Sequence, residues 1–424
     1  MADNSVLQAR ARFWKVAGAC IAALVVLSTA GINLNARHEE TFIATDLGTL
    51  GDPVRCPQCV SVAFAVSDKG LVVGRSMLND QPADVFHAFV WSENTGMTDL
   101  GTLGGAQSTA TAITNDGVIA GFGPSAGGAL HAFVRTRLNF VDLPTLGGST
   151  TTLNAINEKG EAVGASDTGN SASPSHAFLW TKQNGMLDLG TLGGRTSTAN
   201  AISDDGVVVG QSDTAPDPDN APHAFMWTRH GGMVDLGTFG GLNSTAQSVN
   251  NNGVIVGSSD TKSGVSHAFV WTRRTGMVDL GRMVERGTDE ITSFGDKING
   301  RFVIFHTSTN TITHSFVWTG KDGPPVDIGT LGGDRSFAVD VSEKGVVVGG
   351  SSTAGNAAFH AFAWSASMGM VPLESGEGTS QANAINGNLI VGSSCEAGDA
   401  VCHATLWKPS SHSHHQQGDD DDQD

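Results

Sequence analysis

Apolar residues in this chain come in short runs, not long stripes. Val207-Val-Val-Gly210, Val254-Ile-Val-Gly257 and Val346-Val-Val-Gly349 are β-branched runs ending in Gly. Each follows a segment in which small side chains alternate, such as Ala199-Asn-Ala-Ile202, with Ala110-Thr-Ala-Ile113 another example. A polar turn separates such segments from the β-branched runs: Asn115-Asp-Gly117, Asp204-Asp-Gly206, Asn251-Asn-Gly253. Two short β-type runs joined by Asn/Asp-x-Gly predict a hairpin. A second pair follows, His-Ala-Phe-Val-Trp and Asp-Leu-Gly-Thr-Leu, joined through a linker such as Glu93-Asn-Thr-Gly96-Met97. One unit is therefore four short strands in about 45 residues, a repeat period.

The third segment fixes the count. His87–Trp91 returns at 131–135, 176–180, 223–227, 267–271, 314–318, 360–364 and 403–407, eight copies in all. Trp91, Trp180, Trp227, Trp271, Trp318, Trp364 and Trp407 close seven of them, and Arg135 closes the second. Four strands per unit and eight units predict an all-β fold, a single β-propeller of eight four-stranded blades. A parallel β-helix is the rival, but its coils are shorter and lack hairpin chemistry. The small first strand suits the crowded axis, and the aromatic third strand suits the wide gap between blades. The array starts with an orphan, Thr45-Asp-Leu-Gly-Thr-Leu50, and its last unit stops after His403–Trp407 without a fourth strand. The two defects complement each other. Residues 45–50 are predicted to pair with 403–407 and close the ring, which removes two sheet edges.

Composition agrees with many turns and short strands: 55 Gly, no Tyr, and 16% charged residues. A formal charge of −18 argues against nucleic acid as a partner. The first residues differ. Arg10, Arg12 and Lys15 precede an apolar run from Val16 to Ile32, with small residues at Ser28 and Ala30. That reads 1–36 as a secretory signal cleaved after Ala30. An inner-membrane anchor through 16–32 is the competing reading. The residues before Cys20 resemble a lipobox only poorly. On this reading 41–408 is the propeller and 409–424 a disordered His/Asp-rich tail, and the protein is secreted, at the cell surface or in the periplasm.

The motifs DLGTLGG, HAFVW and AINxxGxVVG resemble the repeat of the HAF family, bacterial extracellular repeat proteins. The resemblance spans about 45–408 and implies export and a repeat architecture, but no activity. Asp279-Leu-Gly-Arg-Met283 loses the LGG, and Gly300-Arg-Phe-Val-Ile304 replaces Val-Val-Gly, so unit six is expected to be a distorted blade.

Candidate chemistry divides into a repeated part and an unrepeated part. His87, His131, His176, His223, His267, His314, His360 and His403 occur once per unit, too far apart to share a metal. They are expected to donate structural hydrogen bonds, with the Asp of DLG one possible acceptor. The Trp series is expected in the core. Export would leave Cys56, Cys59, Cys395 and Cys402, an even number that reads as two disulfides at the seam of the ring. Either 56–59 with 395–402 or a crossed pairing satisfies the sequence. A four-thiolate zinc site and redox chemistry at Cys56-Pro-Gln-Cys59 are weaker alternatives. Asp213, Asp217 and Asp219 are weak calcium candidates, and His412, His414 and His415 weak metal candidates in the tail. No cofactor is otherwise expected. There is no HExxH and no phosphate loop. The loops between second and third strands vary most, at 75–86, 211–222 and 350–359, and loops on a rigid scaffold carry function.

These readings lead to the expectation of a non-catalytic binding or scaffold module that presents propeller loops to an extracellular glycan or surface protein. A polysaccharide hydrolase or lyase and a purely structural array are the alternatives.

Overall fold

The computed structural model describes residues 41–410, except 52–55, 57, 79–84, 137–139, 215–220, 286–290, 310, 321–322, 374–377 and 399–400. The signal or anchor segment and the tail lie outside these residues. Pro409 belongs to the last strand (Cys402–Pro409) and not to the tail.

Among the described residues, thirty-two strands form eight antiparallel groups of four. Blade four is representative, with strands Gly193–Ile202, Val208–Thr214, Pro222–Thr228 and Gly232–Asp235 in that order outward. First strands lie side by side around the axis. The hydrophobic cores lie between blades: Val163, Ala177 and Leu179 of blade three pack on Ala199, Val208 and Phe225 of blade four. The HAF phenylalanines Phe89, Phe133, Phe178, Phe225, Phe269 and Phe362 are fully buried, each contributing about 1.5–3 kcal/mol. Trp407 is fully buried, and Trp91, Trp180, Trp227 and Trp364 nearly so. Trp271 and Trp318 pack at the edges of their cores.

The Gly ending each β-branched run has a steric cause. A bulge in the first strand, between Ala199 and Ala201 in blade four, pushes a carbonyl toward the second strand. A Cβ on Gly210 would stand 1.9 Å from the Thr198 carbonyl oxygen. Blade six solves the same problem in reverse: Phe305 takes the glycine position and faces Gly295 on the first strand. The expected distortion of this blade is therefore confined. It keeps four strands, Thr292–Asn299, Phe302–Ser308, Thr313–Trp318 and Val326–Asp327, and the lost LGG becomes one helical turn, Gly281–Val284.

The orphan segment completes blade eight, with a corrected register. The pairing strand is Phe42–Asp46, not 45–50, and it runs antiparallel to Thr405–Pro409. Leu47 adds one more bond to the Ala404 carbonyl, and Gly48 then turns the chain at a positive φ of 72°, which ends the strand. Blade eight packs on blade one through a shared core of Leu47, Val391 and Leu406 against Ala63, Val72 and Phe89. Asn383 Nδ2 donates to the Ala63 carbonyl at 2.8 Å across the same boundary.

Candidate functional site

The repeated polar residues make a structural lattice. Nδ1 of His87, His131, His176, His223, His267, His314 and His403 lies 2.8–2.9 Å from the carboxylate of Asp99, Asp142, Asp188, Asp235, Asp279, Asp327 and Asp46 respectively. In blade seven, Pro372 replaces the Asp opposite the HAF motif of His360. The same carboxylate also accepts the N–H of the next Gly, as Asp188 does from Gly190 at 2.7 Å. One Asp thus holds the His and starts the turn to the next blade.

Sequence reasoning missed the serines. Ser197 accepts the N–H of Ala177 at 2.8 Å and donates to the Gly190 carbonyl at 2.6 Å, stitching blade four to blade three. Ser61, Ser108 and Ser244 make the same pair of bonds elsewhere. The signal was available: a Ser stands at the same place in these units, ahead of the small strand. Gly123-Pro-Ser-Ala-Gly127 also spells the serine-hydrolase pattern GxSxG. It lies in the turn between two strands of blade two, Ile119–Pro124 and Leu130–Arg135. The strand-to-helix elbow that exposes a nucleophile is absent there.

The cysteines form two local disulfides, Cys56–Cys59 and Cys395–Cys402. Cys395 and Cys402 also pair in the sheet register of blade eight. The Cys59 carbonyl accepts a hydrogen bond from His403, which places both disulfides at the seam. Asp213 is committed within blade four: its Oδ2 accepts the Thr196 N–H at 3.0 Å and hydroxyl at 2.8 Å. Asp217, Asp219, His412, His414 and His415 lie outside the described residues. Among the described residues no group of three His, Cys, Asp or Glu side chains is placed to hold a metal ion.

The unrepeated chemistry gathers at one place, the axial mouth over blades four to seven. A cavity of about 690 Å³ opens there. Phe294, Phe337 and Val339 form its apolar wall, and Gln211, Asn243, Thr245 and Gln247 supply amides and a hydroxyl. Phe294, Phe337 and Val339 stay 36–40% exposed although they sit on first strands. Asp296 and His306 complete the lining, on the first and second strands of blade six. His306 Nδ1 lies 2.8 Å from the Asp296 carboxylate, and each side chain is about a quarter exposed. The bulge position held by Asp296 is Asn154, Asn200 and Asn383 in other blades, where the amide bridges to the next blade. Burial pushes the Asp296 carboxyl above its ordinary value, against the pull of the His306 hydrogen bond. The His306 ring stands 5.3 Å from Phe294 and 6.3 Å from Phe337. Asp260 adds a second carboxylate, held by Asn243 Nδ2 at 2.7 Å. The site thus combines aromatic area, amides, two carboxyl groups and one imidazole. Of the variable loops singled out in the sequence, 211–222 contributes its two roots, Gln211 and Pro222.

No family model matches this chain, and no curated protein matches it either. Solved structures do. The β-propeller domain of the Trilobed protease from Pyrococcus furiosus is 13% identical, with a TM-score of 0.48, over 74% of this chain and 98% of that domain. Pyrococcus horikoshii acylaminoacyl peptidase is 12% identical, TM-score 0.47, over 74% of this chain and 52% of its own. Porphyromonas gingivalis dipeptidyl peptidase 4 is 10% identical, TM-score 0.49, over 83% and 57%. The chain spans about half the length of the latter two. The fold itself stands on the four-stranded blades and their packing described above: this is a β-propeller. All three are peptidases or a domain of one, which stands against the expectation of a non-catalytic binding or scaffold module for an extracellular glycan or protein partner.

Proposed function

We propose that the protein is a peptide-handling propeller whose axial mouth over blades four to seven takes an extended peptide segment. One observation carries the reading: the residues that break the repeat, Phe294, Asp296, His306 and Phe337, converge on a single open cavity. Exposed aromatic rings accept a peptide's apolar side chains. Gln211, Asn243 and Gln247 offer both donors and acceptors, as a peptide backbone requires. Asp260 and the Asp296–His306 pair favour the cationic end or a basic side chain of the peptide. The motif likeness to HAF repeats and the basic, then apolar, leader support export as part of this proposal. So do the two disulfides at the seam. No helix among the described residues is long and apolar enough to cross a membrane.

The test is fluorescence anisotropy with labelled peptide pools graded in charge and apolar content. Basic, apolar-rich pools are expected to bind, and Phe337→Ala is expected to weaken them about tenfold, about 1.4 kcal/mol, with an unchanged circular dichroism spectrum. Absence of binding by every pool, or equal binding by the variant, overturns the reading.

A further inference from the structure

Blade one carries an arginine with no polar partner among the described residues. Arg75 lies on the second strand, Val72–Met77, with its guanidinium 4.7 Å from the Phe86 ring centre and 5.9 Å from that of Phe64. Two aromatic faces hold the cation in place. Among the described residues it makes no hydrogen bond and no ion pair, and its Nε is buried without an acceptor. Arg135 shows what a structural arginine looks like in the same protein. It too stands over a ring, Phe140 at 5.9 Å, but its Nη1 donates to the Leu100 carbonyl at 2.7 Å. A half-buried donor set without an acceptor is costly, and Arg75 bears that cost.

The repeat fixes where Arg75 faces. Its counterparts in blades four, five and six are Gln211, Ser258 and His306, each one residue beyond the glycine position of the second strand. All three line the axial cavity. The counterparts of Phe86 in blades four and five, Pro222 and Ser266, line it as well. By the rotational repetition of the blades, Arg75 and Phe86 face the same mouth on its blade-one side.

We infer that Arg75 is a carboxylate-binding residue of the mouth, placed to take the C-terminal carboxylate of the peptide. The planar guanidinium matches a carboxylate in two parallel hydrogen bonds, and the flanking rings fix its orientation. The mouth is then polar across its width, with the Arg75 cation on blade one and the carboxyl groups Asp260 and Asp296 on blades five and six. The C-terminal assignment rests on the peptide reading above, whereas the carboxylate site does not need it.

Two measurements separate these claims. In the full chain, the Arg75 Nε–H resonance is assigned by its loss in Arg75→Lys and followed by NMR during titration with N-acetylglycine or N-acetylglycinamide. A saturable shift with the acid and none with the amide is expected. No shift, or equal shifts, overturns the carboxylate site whatever becomes of the peptide reading. Binding of one peptide with a free or an amidated C-terminus is then compared. Amidation is expected to weaken binding tenfold or more in the wild type and to make no difference in Arg75→Gln. Equal wild-type binding of both forms overturns the C-terminal assignment while leaving the peptide reading intact. Failure of both forms to bind removes the peptide reading, and the C-terminal assignment falls with it.

Discussion

Ser197 holds two blades together with a single hydroxyl, accepting Ala177 N–H and donating to Gly190 C=O. Its side chain is almost fully buried. Ser197→Ala strands one buried N–H and one carbonyl, and is expected to cost about 1–3 kcal/mol, measured by urea unfolding. The His–Asp pairs were legible from sequence because both residues recur at a fixed offset on strands that must pair. The serines were not, since a Ser beside a glycine-rich crossing reads as solvated until the neighbouring blade is in place. Asp296 and His306 were hidden for another reason. They sit on adjacent strands of a unit whose motifs had drifted, so neither aligned with a repeat-mate that would mark it as different. Arg75 was visible only as a loop boundary, because its environment depends on Phe64 and Phe86 folding against it.

At the level of the element, the closing strand was foreseen but its register was not. The motif match drew the boundary at 45–50, whereas the backbone pairs at 42–46. The reason lies in the Asp-Leu-Gly turn. Asp46 Oδ1 accepts the Gly48 N–H at 2.8 Å, which bends the chain away and ends the ladder there. Residues before the motif therefore make the strand. Phe42 and Ala44 pack against the core of blade eight, which holds Trp407, Ile385 and Ile390. Deleting residues 1–46 is expected to lower the melting temperature and to red-shift tryptophan emission as Trp407 gains water. An unchanged melt and spectrum would show that the strand contributes nothing to the blade. The small first strand, the glycine turns and the buried HAF phenylalanines were all legible, because their spacing is set by local backbone and packing needs.

For the whole molecule, the seam is a point of pH sensitivity. Burial works to raise the Asp46 carboxyl, but the His403 and Gly48 hydrogen bonds outweigh it and the group ends below its ordinary 3.8. His403 is raised above its ordinary 6.5, mainly by the Asp46 hydrogen bond. A lowered carboxyl adds stability above pH 3.8 that is lost as pH falls through its folded value. A raised imidazole adds stability below pH 6.5 that is lost as pH rises through its folded value. The pair therefore supports closure most between about pH 3.8 and 6.5, its two ordinary values. The melting-temperature difference between wild type and His403→Gln is expected to be largest in that window and to shrink toward pH 8.5. A flat difference would remove the seam from the protein's pH response. The same seam governs assembly. Asp46 meets a partner 357 residues away, so a growing chain carries an unpaired strand until its last blade is made. Throughout that interval the strand is free to complete the eighth blade of another copy. Strand-exchanged dimers are therefore expected to build up as refolding concentration rises, and size-exclusion chromatography of the refolded protein would detect them.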